Sequence, residues 1–168
     1  MFQEAGLLFI RETKVSDFPR ILNINVTEEE KTSRIDLARL AQLDRWSDYH
    51  RVVVMEDEVV GFLLVMSEAS GYDGDNFRWF FDRYSRFLYV DRIVVDRTSA
   101  RRGIGGALYR DLIQFAATQG NPALCCEINV SPPNPASHAF HARFGFQEVG
   151  RSAEAGASKV VSYQVAEL

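Results

Sequence analysis

The stretch Arg101-Arg102-Gly103-Ile104-Gly105-Gly106 constrains the fold of this chain more than any other, because of what stands on either side of it. Before it, Phe87-Leu88-Tyr89-Val90-Asp91-Arg92-Ile93-Val94-Val95 is rich in β-branched and aromatic residues and predicts a buried strand. After it, Ile104, Leu108, Leu112, Phe115 and Ala116 recur at helical spacing until Gly120 and Pro122 stop the run. A glycine-rich turn therefore joins a strand to a helix N-terminus. Backbone N–H groups that no Cβ shields, opening at the positive end of a helix, make a cradle for a phosphate or pyrophosphate. Arg101 and Arg102 add positive charge beside it. The dinucleotide pattern G-x-G-x-x-G fails at Leu108, and no Gly-Lys-Ser/Thr run makes a Walker loop. The bland alternative is a tight connection whose glycines serve only the backbone.

A second motif bears on that choice: Asn134-Pro135-Ala136-Ser137-His138-Ala139-Phe140-His141-Ala142-Arg143-Phe144-Gly145-Phe146. Asn134 is a good N-cap and Pro135 suits the first helical position. Ala136, Ala139, Phe140 and Phe144 are spaced to share an apolar face, and Gly145 ends the helix. Together, the two motifs resemble the GNAT superfamily of acetyl-CoA-dependent N-acetyltransferases. In that family a Gln/Arg-x-x-Gly-x-Gly/Ala turn holds the coenzyme A pyrophosphate, and an Asn-led helix lies beside the pantetheine arm. The match covers roughly residues 87 to 150.

The resemblance implies that Arg101, Arg102, Gly103, Ile104, Gly105 and Gly106 bind the coenzyme, with Asn134 and Ser137 further along. It also implies that the backbone of Ile93, Val94 and Val95 donates to the pantetheine and thioester carbonyl. Ala100 stands where the family has Gln or Arg, and Arg101 and Arg102 can supply the charge. His141 stands where the family has a tyrosine that protonates the departing thiolate. Two roles are open to it: the same proton transfer by imidazole, or packing near the coenzyme.

Acetylating an amine needs a proton acceptor, because an alkyl amine with a pKa near 10.4 is only about one part in a thousand neutral at pH 7. Glu127 is the first candidate, on the strand where the family often places a base, and Asp91 is the alternative. Either carboxylate has a structural reading as well, Asp91 paired with Arg92 and Glu127 with some other arginine. The implied function is transfer of an acetyl group from acetyl-CoA, as cosubstrate, to a primary amine by direct transfer. The alternatives are a non-catalytic acyl-CoA-binding sensor or interaction module and, less well matched, a nucleotide-binding protein.

The remaining sequence is read in that frame. A chain of 168 residues with 46% hydrophobic content can bury one core, so residues 1–168 are read as a single domain. The resemblance implies an α/β (α+β) fold, a mixed and mostly antiparallel sheet with helices on both faces. Strands are expected at Leu7–Arg11, Arg51–Met55, Val59–Met66, Phe146–Val149 and Val160–Val165, and helices at Ser16–Asn25 and Ser33–Trp46, the latter burying Leu37, Leu40 and Ala41. Glu56-Asp57-Glu58 joins the second and third strands as a hairpin.

Residues 67–86 form an insertion rich in Tyr72, Phe77, Trp79, Phe80, Phe81 and Tyr84. It is either a flap that receives a cationic amine or a short helix whose aromatics finish the core or a homodimer contact. Cys125 and Cys126 point to opposite faces of a strand and are read as core residues. His50, His138 and His141 lack carboxylates at ligand spacing, so no metal site is expected. The net charge of −4 argues against nucleic acid as a partner. No apolar run approaches the roughly 18 residues of a membrane span, and Glu4 interrupts any signal-like start. Cytoplasmic residence, with a small-molecule or protein amine as substrate, is the expectation.

Overall fold

Seven strands and five α-helices account for most of the chain in the computed structural model, which describes residues 7–29, 32–152 and 158–168. The N-terminal residues read for a signal, Glu4 among them, lie outside these. The strands are β1 (Leu8–Glu12), β2 (Tyr49–Met55), β3 (Glu58–Ser67), β4 (Leu88–Val95), β5 (Ala123–Ser131), β6 (Gln147–Arg151) and β7 (Val160–Glu167). The helices are α1 (Phe18–Val26), α2 (Leu37–Trp46), α3 (Asp75–Phe81), α4 (Ile104–Thr118) and α5 (Pro135–Ala142). Strand order is β1-β2-β3-β4-β5-β7-β6. The β4–β5 ladder is parallel, while β1–β2, β2–β3, β5–β7 and β6–β7 are antiparallel. The sheet is thus mixed and mostly antiparallel, as expected.

Two helix boundaries differ from the sequence reading, each for a local reason. Ser16 and Asp17 belong to a 3-10 turn, and α1 begins after it with proline in its first turn. Asp36 caps α2 by accepting from the Arg39 N–H at 2.8 Å, so Ser33 to Asp36 precede the helix. Leu37 then lies exposed, and Leu40 and Leu43 are the buried pair. The hairpin turn falls on Glu56 and Asp57, both left-handed at φ 51° and 64°, which is the backbone of a two-residue turn matched to strand twist.

The elements group into two compact units, Met1–Val65 with Arg92–Leu112, and Met66–Asp91 with Ile113–Leu168. In the first, α1 and α2 bury Phe18, Ile21, Ile24 and Leu40 against Val52, Phe62 and Val94. Gly61 on β3 is required there: a Cβ would lie 3.1 Å from both the Ile104 side chain and the Val94 carbonyl oxygen. That close approach seats the start of α4. In the second unit, α3 buries Phe77 and Phe80, whose rings contact Phe87 and Tyr89 at centroid distances of 5.5–6.3 Å. Trp79 stacks on Tyr163 of β7 at 4.2 Å and 16°, and fits only because residue 150 is glycine: a Cβ there would stand 2.6 Å from the indole. The packing reading of the 67–86 insertion is therefore the one the aromatics follow.

Candidate active site

In the first unit, the glycine turn is shaped by its backbone. Arg101 and Gly103 are left-handed, at φ 65° and 73°, and α4 opens at Ile104. The first N–H of the turn region that bonds into the helix is that of Ala107, giving to the Gly103 carbonyl at 3.0 Å. The N–H groups ahead of it sit at the helix's open end. Nothing lies within 4 Å of where a Gly103 Cβ would stand. Backbone donors, exposed main chain and space together fit a coenzyme pyrophosphate, and the alanine at position 100 removes nothing a main-chain cradle needs. Ile104 is buried to 2% exposure against Gly61, so only its N–H can serve a ligand. Arg102 directs Nη1 to the Met55 sulfur at 3.2 Å, while Arg101 is exposed.

Alternation along β4 sorts the other candidates. Val90, Arg92 and Val94 are buried on one side, and Asp91, Ile93 and Val95 are half-buried on the other. Asp91 and Arg92 therefore diverge and do not form the pair weighed from the sequence. Arg92 donates to Asn25 Oδ1 at 3.0 Å and to the carbonyl and hydroxyl of Ser33 at 2.8 and 2.9 Å. Asp91 accepts from the Tyr72 hydroxyl.

Glu127, half-buried on β5, accepts a hydrogen bond from Tyr89 Oη at 2.6 Å. Burial pushes its pKa up to about 7. The Tyr89 hydrogen bond and the polar amide of Asn76 oppose that rise, and the negative charge of Asp91 adds to it. Both candidate bases thus belong to one set of groups in the second unit. The hydrogen bond to Glu127 comes from a neutral donor, the Tyr89 hydroxyl, rather than from the arginine that its structural reading required. Tyr89 itself is fully buried, and burial followed by the Glu127 charge raises its pKa far above the phenol range, so it stays a donor.

His141 is the buried residue of α5, at 5% exposure, and its ring meets Phe146 edge-on at 5.1 Å. Ala136 and Ala139, expected on the buried face, are exposed; the helix turns Ser137 and His141 inward instead. Asn134 caps α5 by accepting from Ser137 N–H at 3.4 Å. His141 Nδ1 lies 2.8 Å from the Ser137 carbonyl, which can only accept, so Nδ1 carries a proton. Burial lowers the His141 pKa. A neutral ring with its proton on Nδ1 presents a lone pair at Nε2, which weighs against thiolate protonation and toward packing. His138, read as solvated, is half-buried with Nε2 3.2 Å from the Asn129 carbonyl.

Sequence reasoning missed Tyr72, Asn76, Tyr89 and Tyr163 as neighbours of the carboxylates. Tyr89 was within reach, because period-two alternation puts it on the face of Asp91. The two cysteines are buried and unbridged, as expected. Among the described residues, no group of three or more His, Cys, Asp or Glu is placed to hold a metal, and no helix is long and apolar enough to cross a membrane.

The family model of the acetyltransferase (GNAT) family matches residues 11–146. No curated protein matches the chain by sequence. Among solved structures, Ard1 from Thermoplasma volcanium superposes with a TM-score of 0.77 at 18% identity, over 96% of this chain and 97% of that one. The ribosomal-protein-S18-alanine N-acetyltransferase from Escherichia coli gives 0.71 at 16% identity, over 96% and 94%. YncA from Salmonella typhimurium, solved with its cofactor acetyl-CoA, gives 0.71 at 19% identity, over 97% and 95%.

Proposed function

This chain belongs to the acetyltransferase (GNAT) family, which uses acetyl-CoA as cosubstrate, and from that premise we propose that it acetylates a primary amine by direct transfer, with Glu127 as the proton acceptor. Bound acetyl-CoA supplies an activated thioester; the protein's part is to hold it and to take the amine's proton. The turn at 101–106 holds pyrophosphate through main-chain N–H groups, with Asn134 and Ser137 shaping the helix beside the pantetheine arm.

The observation that carries the reading is the environment of Glu127. A base works best when its pKa lies near the working pH, and burial brings this carboxylate up to about 7 while Tyr89 fixes one oxygen. Asp91 has a supporting part, through its charge and its bond to Tyr72. His141 is assigned to packing. The acceptor is a small-molecule amine or a protein amine; some structural neighbours bear names of ribosomal-protein acetyltransferases, which makes a protein N-terminus one class to include.

The test is release of coenzyme A thiol across a panel of alkyl amines, amino acids, polyamines and peptide N-termini. Acetyl-CoA binding without thiol release from any of them would replace this reading with the non-catalytic binding module. Gly103→Val tests the turn: a β-branched residue at φ 73° is strained by about 1–2 kcal/mol, and coenzyme affinity by calorimetry should fall at least about tenfold with the circular dichroism retained.

A further inference from the structure

Gly106 sits in the first turn of α4, where glycine is a poor helix former and no left-handed backbone asks for it. The space it leaves is used by a side chain. A Cβ at residue 106 would stand 3.2 Å from Arg110 Nη1 and 3.8 Å from its Nη2 and Cζ, so the Arg110 guanidinium lies over the bare glycine. Residues four apart share a helix face, and helical side chains lean toward the N-terminus. Arg110 is thereby carried back one turn, to the open end of α4. A positive group is unfavourable there, because the N–H groups ahead of Ala107 already present positive charge. Among the described residues, no hydrogen bond or ion pair gives Arg110 a carboxylate. An anion at the turn answers the helix end and the guanidinium together.

We propose that Arg110 is a further coenzyme-binding residue, whose guanidinium Gly106 admits to the 101–106 turn to meet the coenzyme pyrophosphate. This role rests on the reading of that turn as the pyrophosphate cradle, and it adds a side chain to what the main chain supplies. The arginines nearer in sequence are placed otherwise. Arg97 holds Glu28 Oε1 at 3.0 Å, Arg102 turns Nη1 to the Met55 sulfur at 3.2 Å, and Arg101 is exposed. A planar guanidinium can bond two oxygens of a phosphate at once, which a main-chain N–H cannot.

Isothermal titration of the full chain with coenzyme A, at low ionic strength, reads the affinity. Arg110→Ala should weaken it about tenfold, the equivalent of one charge-assisted contact. The loss should shrink at high salt, because Arg110 is exposed. Arg110→Lys should recover part of it. Dephospho-coenzyme A, which keeps the pyrophosphate and lacks the 3′-phosphate, should show the same loss. The Tm of Arg110→Ala should hold or rise, since a cation leaves the positive end of α4 and the best helix former replaces it. A fall in Tm with unchanged affinity would make Arg110 structural only. Gly106→Leu fills the space under the guanidinium, so Arg110→Ala added to it should weaken binding little further. Equal affinity in wild type and Arg110→Ala overturns the proposal, and a loss confined to coenzyme A overturns the assignment to pyrophosphate. Full additivity of the two changes overturns the part given to Gly106. A wild-type protein that binds no coenzyme A removes the cradle itself, and this role with it.

Discussion

Each unit of the molecule contains a tyrosine whose hydroxyl donates a hydrogen bond to a carboxylate at 2.6 Å: Tyr49 to Asp111 in the first, Tyr89 to Glu127 in the second. The surroundings make them different chemistry. Asp111 also receives Arg51 Nη1 at 2.7 Å, so a full positive charge answers the negative one. Among the described residues the hydrogen bond to Glu127 comes from a neutral donor, the Tyr89 hydroxyl, and the charge acting on it from β4 is that of Asp91. One pair is a structural clasp, and burial of the tyrosine merely pushes its pKa well up. The other is a carboxylate held near neutrality, suited to exchange a proton. The same two functional groups at the same distance are distinguished by a third.

The largest break between the pairs should appear in turnover. Glu127→Gln should lower kcat by about 10²–10⁴-fold, with the loss shrinking as pH rises and more amine is already neutral, whereas Asp111→Asn should leave kcat within about twofold. A Glu127→Gln enzyme with wild-type kcat across the pH range would erase the distinction.

Stability should respond with opposite signs. Below the ordinary glutamate pKa near 4.5, Glu127 keeps its proton folded or unfolded. As pH rises through about 7 the fold has to carry the charge, and up to about 3 kcal/mol of stability is lost. Glu127→Gln should therefore raise Tm by several degrees at pH 8 and leave it unchanged at pH 4. Asp111→Asn, which strips a partner from Arg51 and Tyr49, should lower Tm at both neutral and alkaline pH by an amount worth about 1 kcal/mol, since the pair is part-exposed. Calorimetric scans showing the same sign for both variants would refute the contrast.

The smallest effect sharpens it. Asp91→Asn removes the like charge that raises Glu127, so the acidic limb of the rate profile should shift to lower pH, changing kcat/KM near pH 7 by about twofold to threefold. A limb that moves upward would give Asp91 some other role.

What the sequence made legible follows the range of the interactions. The strand, turn and helix from residue 87 to 118, the cap at Asn134 and the turn at Glu56-Asp57 are written in neighbouring residues, and each stands where local chemistry puts it. The Glu127 surroundings are not local. Tyr89 is 38 residues away, and the Asn76–Tyr163 bond spans 87, so no spacing rule links them. The insertion misled differently: its aromatic count announces packing, which is correct, and hides the Asn76 amide, whose oxygen accepts from Tyr163 Oη. On α5 the apolar alanines suggested a buried face, but alanine buries little surface, and the helix turned its histidine inward.

The adjacent cysteines have a practical consequence. A transferase of this family liberates a thiol each cycle, and the simplest readout is a disulfide reagent that reacts with thiolates. The chain has two cysteines, both buried; Cys125 is pushed up to about 12 and Cys126 well above its ordinary value. Neither presents appreciable thiolate at neutral pH. The native protein should give a flat colorimetric baseline, against which even slow coenzyme release is visible, and a burst of reagent uptake would report unfolding instead of turnover.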